Sequence, residues 1–367
     1  FNLSNIEAIK QSVDIPVICS GLVHEPDMAE LVLVEVRSDL FVIGKALFGD
    51  PYWSQKAKEG RFDEIHHCLA CTGCIDELFG GGQLRCAVNP FVGREGDFEI
   101  GQAGKKKKVV VIGGGPAGLQ AASMAAKRGH DVKLFERNQM LGGQIRAAAI
   151  PPDKHMLAGI IRTLEVEASK NGAEIRCGNE CDLPILQDLK PDAVFVCTGA
   201  RPILPDFVDS KTENIAMAED VLLGRVATGS KVLIVGGGEV GCETAHFLAE
   251  YKKEITIIEM TDTCGMNCGF ITGPILLEKL KHWGVSMLTA TRVLEISDEG
   301  VLLEKDGEQK LLTGFDTVVL AQGYVSVSEL YEQIKSQVPE TYLIGDAKNP
   351  RNLMEVLKEA TDKGCRI

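Results

Sequence analysis

The 367-residue chain is 45% hydrophobic and 25% charged, an ordinary globular composition, and it is long enough for two or three domains with cores of their own. A formal net charge of −13, with a single basic run at Lys105–Lys108, argues against a polyanion-binding surface and so against nucleic acid as a partner. No apolar stretch approaches about 18 residues and no signal-peptide pattern is present, so no membrane span is expected, and the twelve cysteines fit a reducing cytoplasm better than a disulfide framework. The chain starts at Phe1 without a methionine, which suggests a fragment.

From Phe1 to about Lys58 the pattern runs helix, strand, helix, strand ("NIEAIKQSV", "IPVICSG", "EPDMAELVLVE", "DLFVIGKALFG"), the βαβ rhythm of a parallel sheet. Next, "HHCLACTGC" sets Cys68, Cys71 and Cys74 as C-x2-C-x2-C, and Cys86 follows in "LRCAVNP". Structural zinc sites usually bring ligand pairs from two knuckles, whereas three thiolates in one loop with a distant fourth is the pattern of a [4Fe–4S] cluster. His67 could replace one ligand in a zinc site, so both metals stay open at this point. The other eight cysteines are spread through apolar or small-residue segments and read mostly as buried small hydrophobes. A glycine-rich break, "FGGGQ", and the polar linker "GREGDFEIGQAGKKKK" put a domain boundary near Gly104.

Beyond it the chain repeats a unit. "KKVVVIGGGPAGLQAASMAAKRGHDVKLFE" and "SKVLIVGGGEVGCETAHFLAEYKKEITIIE" share strand, glycine turn, small-residue helix, second strand and terminal glutamate, with 23 residues from first glycine to acid in both. In the first unit Gly113, Gly115 and Gly118 follow a β-branched strand and open a helix, Pro116 to Lys127, starting Pro116-Ala117. Free N–H groups at that helix start suit a pyrophosphate, and Glu136 is placed for a ribose 2′-OH. Gly236, Gly238, Glu239, Gly241 and Glu259 repeat the arrangement, and an acid at position 259 would repel a 2′-phosphate, favouring NADH over NADPH. Two such units in one chain normally hold a flavin and a nicotinamide. The first carries the extra features: "LGGQIR" with Gly143, Gln144 and Arg146, then "VCTGARP" with Thr198 and Gly199, then "YLIGDA" with Gly345 and Asp346. These resemble the FAD-domain signature of flavin-dependent pyridine-nucleotide reductases.

Taken in order, "ICSG…DLFVIGKALFGDP…CLACTGC…LFGGGQLRCAVNP…GGGPAG…LGGQ…CTGARP…GGGEVGCE…IGDA" resembles the C-terminal part of the 2,4-dienoyl-CoA reductase and enoate reductase family, relatives of old yellow enzyme and trimethylamine dehydrogenase. The resemblance implies an α/β chain made of the end of a (β/α)8 barrel, a small iron–sulfur segment, and nested FAD- and NAD-binding Rossmann-like domains. The implied bounds are 1–58 for the last two βα units of an FMN barrel, 59–104 for the iron–sulfur segment, 105–211 with 320–367 for FAD, and 212–319 for NAD. FMN phosphate would lie at Ser20-Gly21 and at Gly44-Lys45, where the family usually has Gly-Arg; lysine keeps the charge but loses the bidentate fork. Cys68, Cys71, Cys74 and Cys86 would be the cluster ligands, and the complete enzyme would reduce an enoate, enone or enoyl-CoA; a homo-oligomer is compatible with this reading. The first six barrel strands and the proton-donating residues are not in this sequence.

Two rivals use the same motifs. A pyridine-nucleotide disulfide reductase would need a redox pair, and Cys264 with Cys268 is the candidate, although the C-x3-C spacing is not the usual C-x2-C and nothing nearby in sequence promises a lowered thiol pKa. An amine dehydrogenase resembling trimethylamine dehydrogenase would pass electrons out to a partner protein, and the intact second glycine turn speaks against it.

Overall fold

Val109, Val110, Val111 and Ile112 are β-branched and all buried, which requires a sheet covered on both faces. In the computed structural model, which describes residues 3–21, 23–35, 38–98, 100–209, 212–266 and 268–367, they form the middle strand of a five-stranded parallel sheet. Its order is Glu340–Leu343, Ala193–Val196, Lys108–Ile112, Asp131–Glu136, Glu174–Cys177. Val109 and Val111 face a core shared with helices Pro116–Lys127, Leu157–Lys170 and Leu353–Gly364; Val110 and Ile112 face one shared with helices Leu183–Leu189 and Glu329–Ile334.

A second five-stranded parallel sheet repeats the plan in the order Ser286–Leu288, Glu254–Ile258, Lys231–Val235, Thr317–Leu320, Ile215–Met217. Helices Glu239–Glu250 and Thr272–His282 cover one face. An antiparallel sheet of Arg292–Ser297, Gly300–Lys305 and Glu308–Leu312 covers the other through Val293, Ile296, Val301 and Leu303. The chain leaves the first sheet through Ala200–Pro202 and returns through Tyr324–Ser326, and these two crossings pair antiparallel. The second unit is thereby inserted into the first.

The N-terminal segment forms helix Leu3–Ser12, strand Ile18–Ser20, helix Pro26–Val34 and strand Leu40–Val42, with the two strands parallel. Trp53 and Ile65 sit in its small core. Ile18, Leu40 and Val42 are 60%, 51% and 52% exposed, unlike the side chains of the two larger parallel sheets. Arg94, read as part of a polar linker, instead ion-pairs with Asp362 of the last helix and lies 4.9 Å from the Phe98 ring. Among the described residues no helix is long and apolar enough to cross a membrane.

Helix and strand meet most closely at Gly118, where a Cβ would lie 1.9 Å from Gly113 O, and at Gly241, where it would lie 1.9 Å from Gly236 O. Neither contact can relax, because both atoms belong to the backbone. Gly118→Ala is expected to destabilise the protein by about 1–3 kcal/mol, read as a lowered urea midpoint; an unchanged midpoint would show that the turn is not under this constraint.

Candidate functional site

The first glycine turn leaves its helix end open. Gly115 caps Pro116–Lys127 without any side-chain hydrogen bond, whereas Asp182 and Asn352 cap their own helices through side-chain oxygens. No atom outside its neighbours would stand within 4 Å of a Cβ on Gly115, so the free N–H groups of the first turn face open space. Gly113, at φ 107°, is packed so tightly that a Cβ would lie 2.2 Å from Cys197 O. The buried Glu136 carboxylate accepts from Gly114 N at 2.8 Å, Asn138 N at 2.8 Å and Asn138 Nδ2 at 2.7 Å. It therefore fixes the turn as well as facing the space beyond it.

That space is a cavity of about 2040 Å³, well above the roughly 300–1,000 Å³ of ordinary small-ligand pockets. Gly113, Gly115, Pro116, Ala117, Glu136, Gly143, Gln144, Arg146, Thr198, Gly199 and Asp346 all line it. The predicted residues of the first unit are thus brought together, with two corrections of role. Gly118 serves the strand contact, and Gly345, at φ 65°, lets the chain pass Ala117, whose Cβ would be 2.7 Å from a Cβ there. The Thr198 hydroxyl donates to Val327 O, and Gln144 Nε2 donates to Ala200 O at 3.0 Å. Burial raises the Asp346 carboxyl against the Arg351 N–H that its Oδ1 accepts.

In the second unit, Gly237 N donates to Glu259 Oε2 at 2.7 Å and Thr261 N to Oε1 at 2.8 Å. Gly238 is an uncapped helix start facing open space, as Gly115 is. Of the predicted residues in this unit, Glu239 lines the large cavity. It does so with partners that the sequence reading missed. Lys154 Nζ reaches Glu239 Oε1 at 3.0 Å and also ion-pairs with Glu243, tying the stretch after the first unit to the helix of the second. Burial, working against the lysine charge, is outweighed by the two carboxylates, and the ammonium is held above its usual range. Burial pushes the Glu243 carboxyl up to about 7, with Lys154 opposing and Glu239 adding to it.

Leu69, Cys71 and Gly73 line the same large cavity. Behind them Cys68, Cys71, Cys74 and Cys86 surround a small cavity together with Lys45 and Thr72. Ala70 and Thr72 turn the loop at φ 52° and 58°, in the left-handed region. Thr72 Oγ1 is buried with no hydrogen-bond partner, and burial pushes the Cys86 thiol up to about 11. Among the described residues no three His, Cys, Asp or Glu side chains converge as a single-ion site does. Gly44 and Lys45 start helix Lys45–Gly49, and Gly21, at φ 127°, follows strand Ile18–Ser20. Of the disulfide-reductase rival's cysteines, Cys264 is buried beside Cys242 in the core of the second unit, and Cys242 holds its thiol below the usual range.

Two mononucleotide folds, one inserted in the other around a dinucleotide-sized cavity, define a flavin and nicotinamide oxidoreductase. The chain belongs to the pyridine nucleotide-disulphide oxidoreductase family, whose pattern matches residues 107–356, and this family implies FAD and NAD(H). It is similar to an NADH oxidase of Thermoanaerobacter brockii, 41% identical over 98% of this chain and 57% of that protein. It is also similar to a cinnamate reductase of Clostridium sporogenes, 32% identical over 98% of this chain and 54% of that one. A solved 2-naphthoyl-CoA reductase in complex with 2-naphthoyl-CoA matches with a TM-score of 0.95 at 30% identity, covering 100% of this chain and 56% of that chain. These relatives are of the 2,4-dienoyl-CoA reductase kind that the motif order resembles, and the chain spans little more than half of their length.

Because Glu243 holds its proton more tightly in the folded chain than at its ordinary 4.5, its stabilising contribution is full below that value and is lost as pH rises through about 7. Between about pH 5 and about pH 8 the natural protein should therefore lose stability that Glu243→Gln keeps, by roughly 1–3 kcal/mol in urea unfolding. Parallel pH profiles for the two proteins would contradict the buried carboxyl.

Proposed function

We propose that this chain is the electron-input part of an NADH-dependent flavin and iron–sulfur oxidoreductase that reduces activated C=C bonds of enoate or enoyl-CoA-type substrates. One observation carries the reading: the open helix start at Gly115 and Cys71 line one cavity, and Cys71 also lines the four-thiol cavity together with Lys45.

The residues fit the groups that the reading requires. FAD would lie along the large cavity, its pyrophosphate on the free N–H groups after Gly115, its ribose on Glu136, and its ribityl region near Asp346. NADH would take the second turn, Gly236 to Gly241, with the Glu259 carboxylate meeting its ribose. A [4Fe–4S] cluster suits Cys68, Cys71, Cys74 and Cys86, because four thiols around a cavity can each meet a different iron, where zinc would need all of them at one point. Thr72 Oγ1 is an orphan donor on the wall of that cavity. Bound together, these groups would divide a two-electron hydride donor into single-electron steps toward FMN. The half-exposed parallel strands Ile18–Ser20 and Leu40–Val42 suit the end of an FMN barrel whose remaining strands would cover them.

The chain's own residues then have separate tasks. Glu136 and Glu259 hold the turns by their second glycines, and Lys154 links the two units across the cavity through Glu239 and Glu243. The intact second turn supports NADH as donor over the amine dehydrogenase reading, although an N,N-dimethylglycine/sarcosine dehydrogenase of Chromohalobacter salexigens is 31% identical over 90% of this chain.

Anaerobic purification should yield about four iron and about four sulfide per chain together with FAD, and Cys86→Ser should lose most of the iron while keeping FAD. A colourless zinc protein would refute the proposal. NADH should exceed NADPH in kcat/KM for dye reduction by at least roughly tenfold; a preference for NADPH would remove Glu259 from the ribose.

A further inference from the structure

The two nucleotide units match position for position. One offset carries Gly114 to Gly237, Glu136 to Glu259, Gly142 to Gly265, Leu119 to Cys242 and Leu141 to Cys264. The hydrogen bonds follow it: Gly142 N donates to Gly114 O at 2.9 Å, and Gly265 N to Gly237 O at 2.7 Å. The packing follows it too. A Cβ on Gly114 would meet Leu141 Cδ2 at 2.5 Å, and one on Gly237 would meet Cys264 Sγ at 2.7 Å. Where the first unit seals its turn with two buried leucines, the second has two buried thiols packed on Gly237, Cys242 Sγ at 3.3 Å from its carbonyl oxygen and Cys264 Sγ at 2.7 Å from where its Cβ would be. Apolar packing is the simpler way to close this space, as the first unit shows, and a thiol pair adds chemistry that leucines lack.

We propose that Cys242 and Cys264 form a thiol–disulfide switch seated on the turn that receives NADH, closed by a hydroperoxide and reopened by a dithiol. This rests on the reading of Gly236–Gly241 as the NADH turn. Cys242 Sγ donates to Gly237 O at 3.3 Å, and the neighbouring Cys264 thiol is held below its usual range by Cys242, which favours the thiolate there. That thiolate attacks the peroxide O–O bond, becoming a sulfenic acid as one water leaves. Cys242 then attacks the sulfenic sulfur, the S–S bond forms and a second water leaves. Two thiols give up two electrons and two protons, and hydrogen peroxide is reduced to two waters.

Closure removes the Cys242 hydrogen bond to Gly237 O and draws the loop that carries Gly265 against the helix start. The Gly237 peptide is held between this loop on its carbonyl side and Glu259 on its N–H side, so the ribose-facing carboxylate moves with it. Weaker NADH binding follows.

The test uses the FAD- and cluster-loaded protein, treated anaerobically with a few equivalents of hydrogen peroxide, desalted, alkylated, mapped by peptide mass spectrometry and titrated with NADH. The expected result is one cross-link, Cys242 to Cys264, with Kd for NADH raised about tenfold, and reversal of both by dithiothreitol. In Cys264→Ser the cross-link is absent and the Kd, whatever its starting value, no longer responds to peroxide. A cross-link between other cysteines, a sulfinic acid at Cys264 without a cross-link, or a cross-link with unchanged Kd would overturn the switch. No NADH binding before treatment would overturn the reading of the turn and the switch with it.

Discussion

Both nucleotide units depend on a helix that begins in van der Waals contact with the strand before it. At Gly118 and Gly241 no side chain fits between helix and turn, and this closeness aims the first free N–H groups at the space above the sheet. The same constraint fixes the glutamates. A carboxylate at the end of the neighbouring strand can reach the second glycine's N–H only if strand, turn and helix are pressed together, and it does so at 2.8 Å in one unit and 2.7 Å in the other. The direction of the free N–H groups and the place of the carboxylate are therefore set by one contact.

The cavity is a consequence of how the second unit is inserted. Its two connections lie side by side as Ala200–Pro202 and Tyr324–Ser326, so the units face each other across one space. Lys154 spans that space to Glu239 and Glu243, and Lys279 reaches Asp153. At the other end the cysteine loop packs on the last helix of the first unit, where Met354 stands 3.1 Å from where a Cβ on Gly73 would be. Arg85 and Arg94 add ion pairs to Glu355 and Asp362 of that helix. The cysteine loop is thus part of the wall of the large cavity that the first glycine turn also lines.

The repeat also shows where the units have diverged. Strands, turns, acids and the hydrogen bond from loop to turn are the same, while the side chains sealing the turn differ: Leu119 and Leu141 in one, Cys242 and Cys264 in the other. Backbone geometry is held by contacts that tolerate no change, and the residues beneath it are free to carry other chemistry.

Glycine turns, β-branched strands, strand-end acids and the cysteine spacing are local patterns, and they were enough to read both units and the helix Pro116–Lys127 to its ends, while the inserted order came from the family resemblance. Hydrogen bonds in a strand–turn–helix unit close over a few residues, so the sequence carries them in short motifs. The Lys154 bridge, the docking of Arg94 and the packing of Cys264 with Cys242 join residues far apart in the chain with no periodicity to mark them. Burial and charge at those points depend on which surfaces meet. Sequence by itself determined two nucleotide folds and a cysteine loop; tertiary packing decided that they share one cavity, because only the contact of the two units creates it.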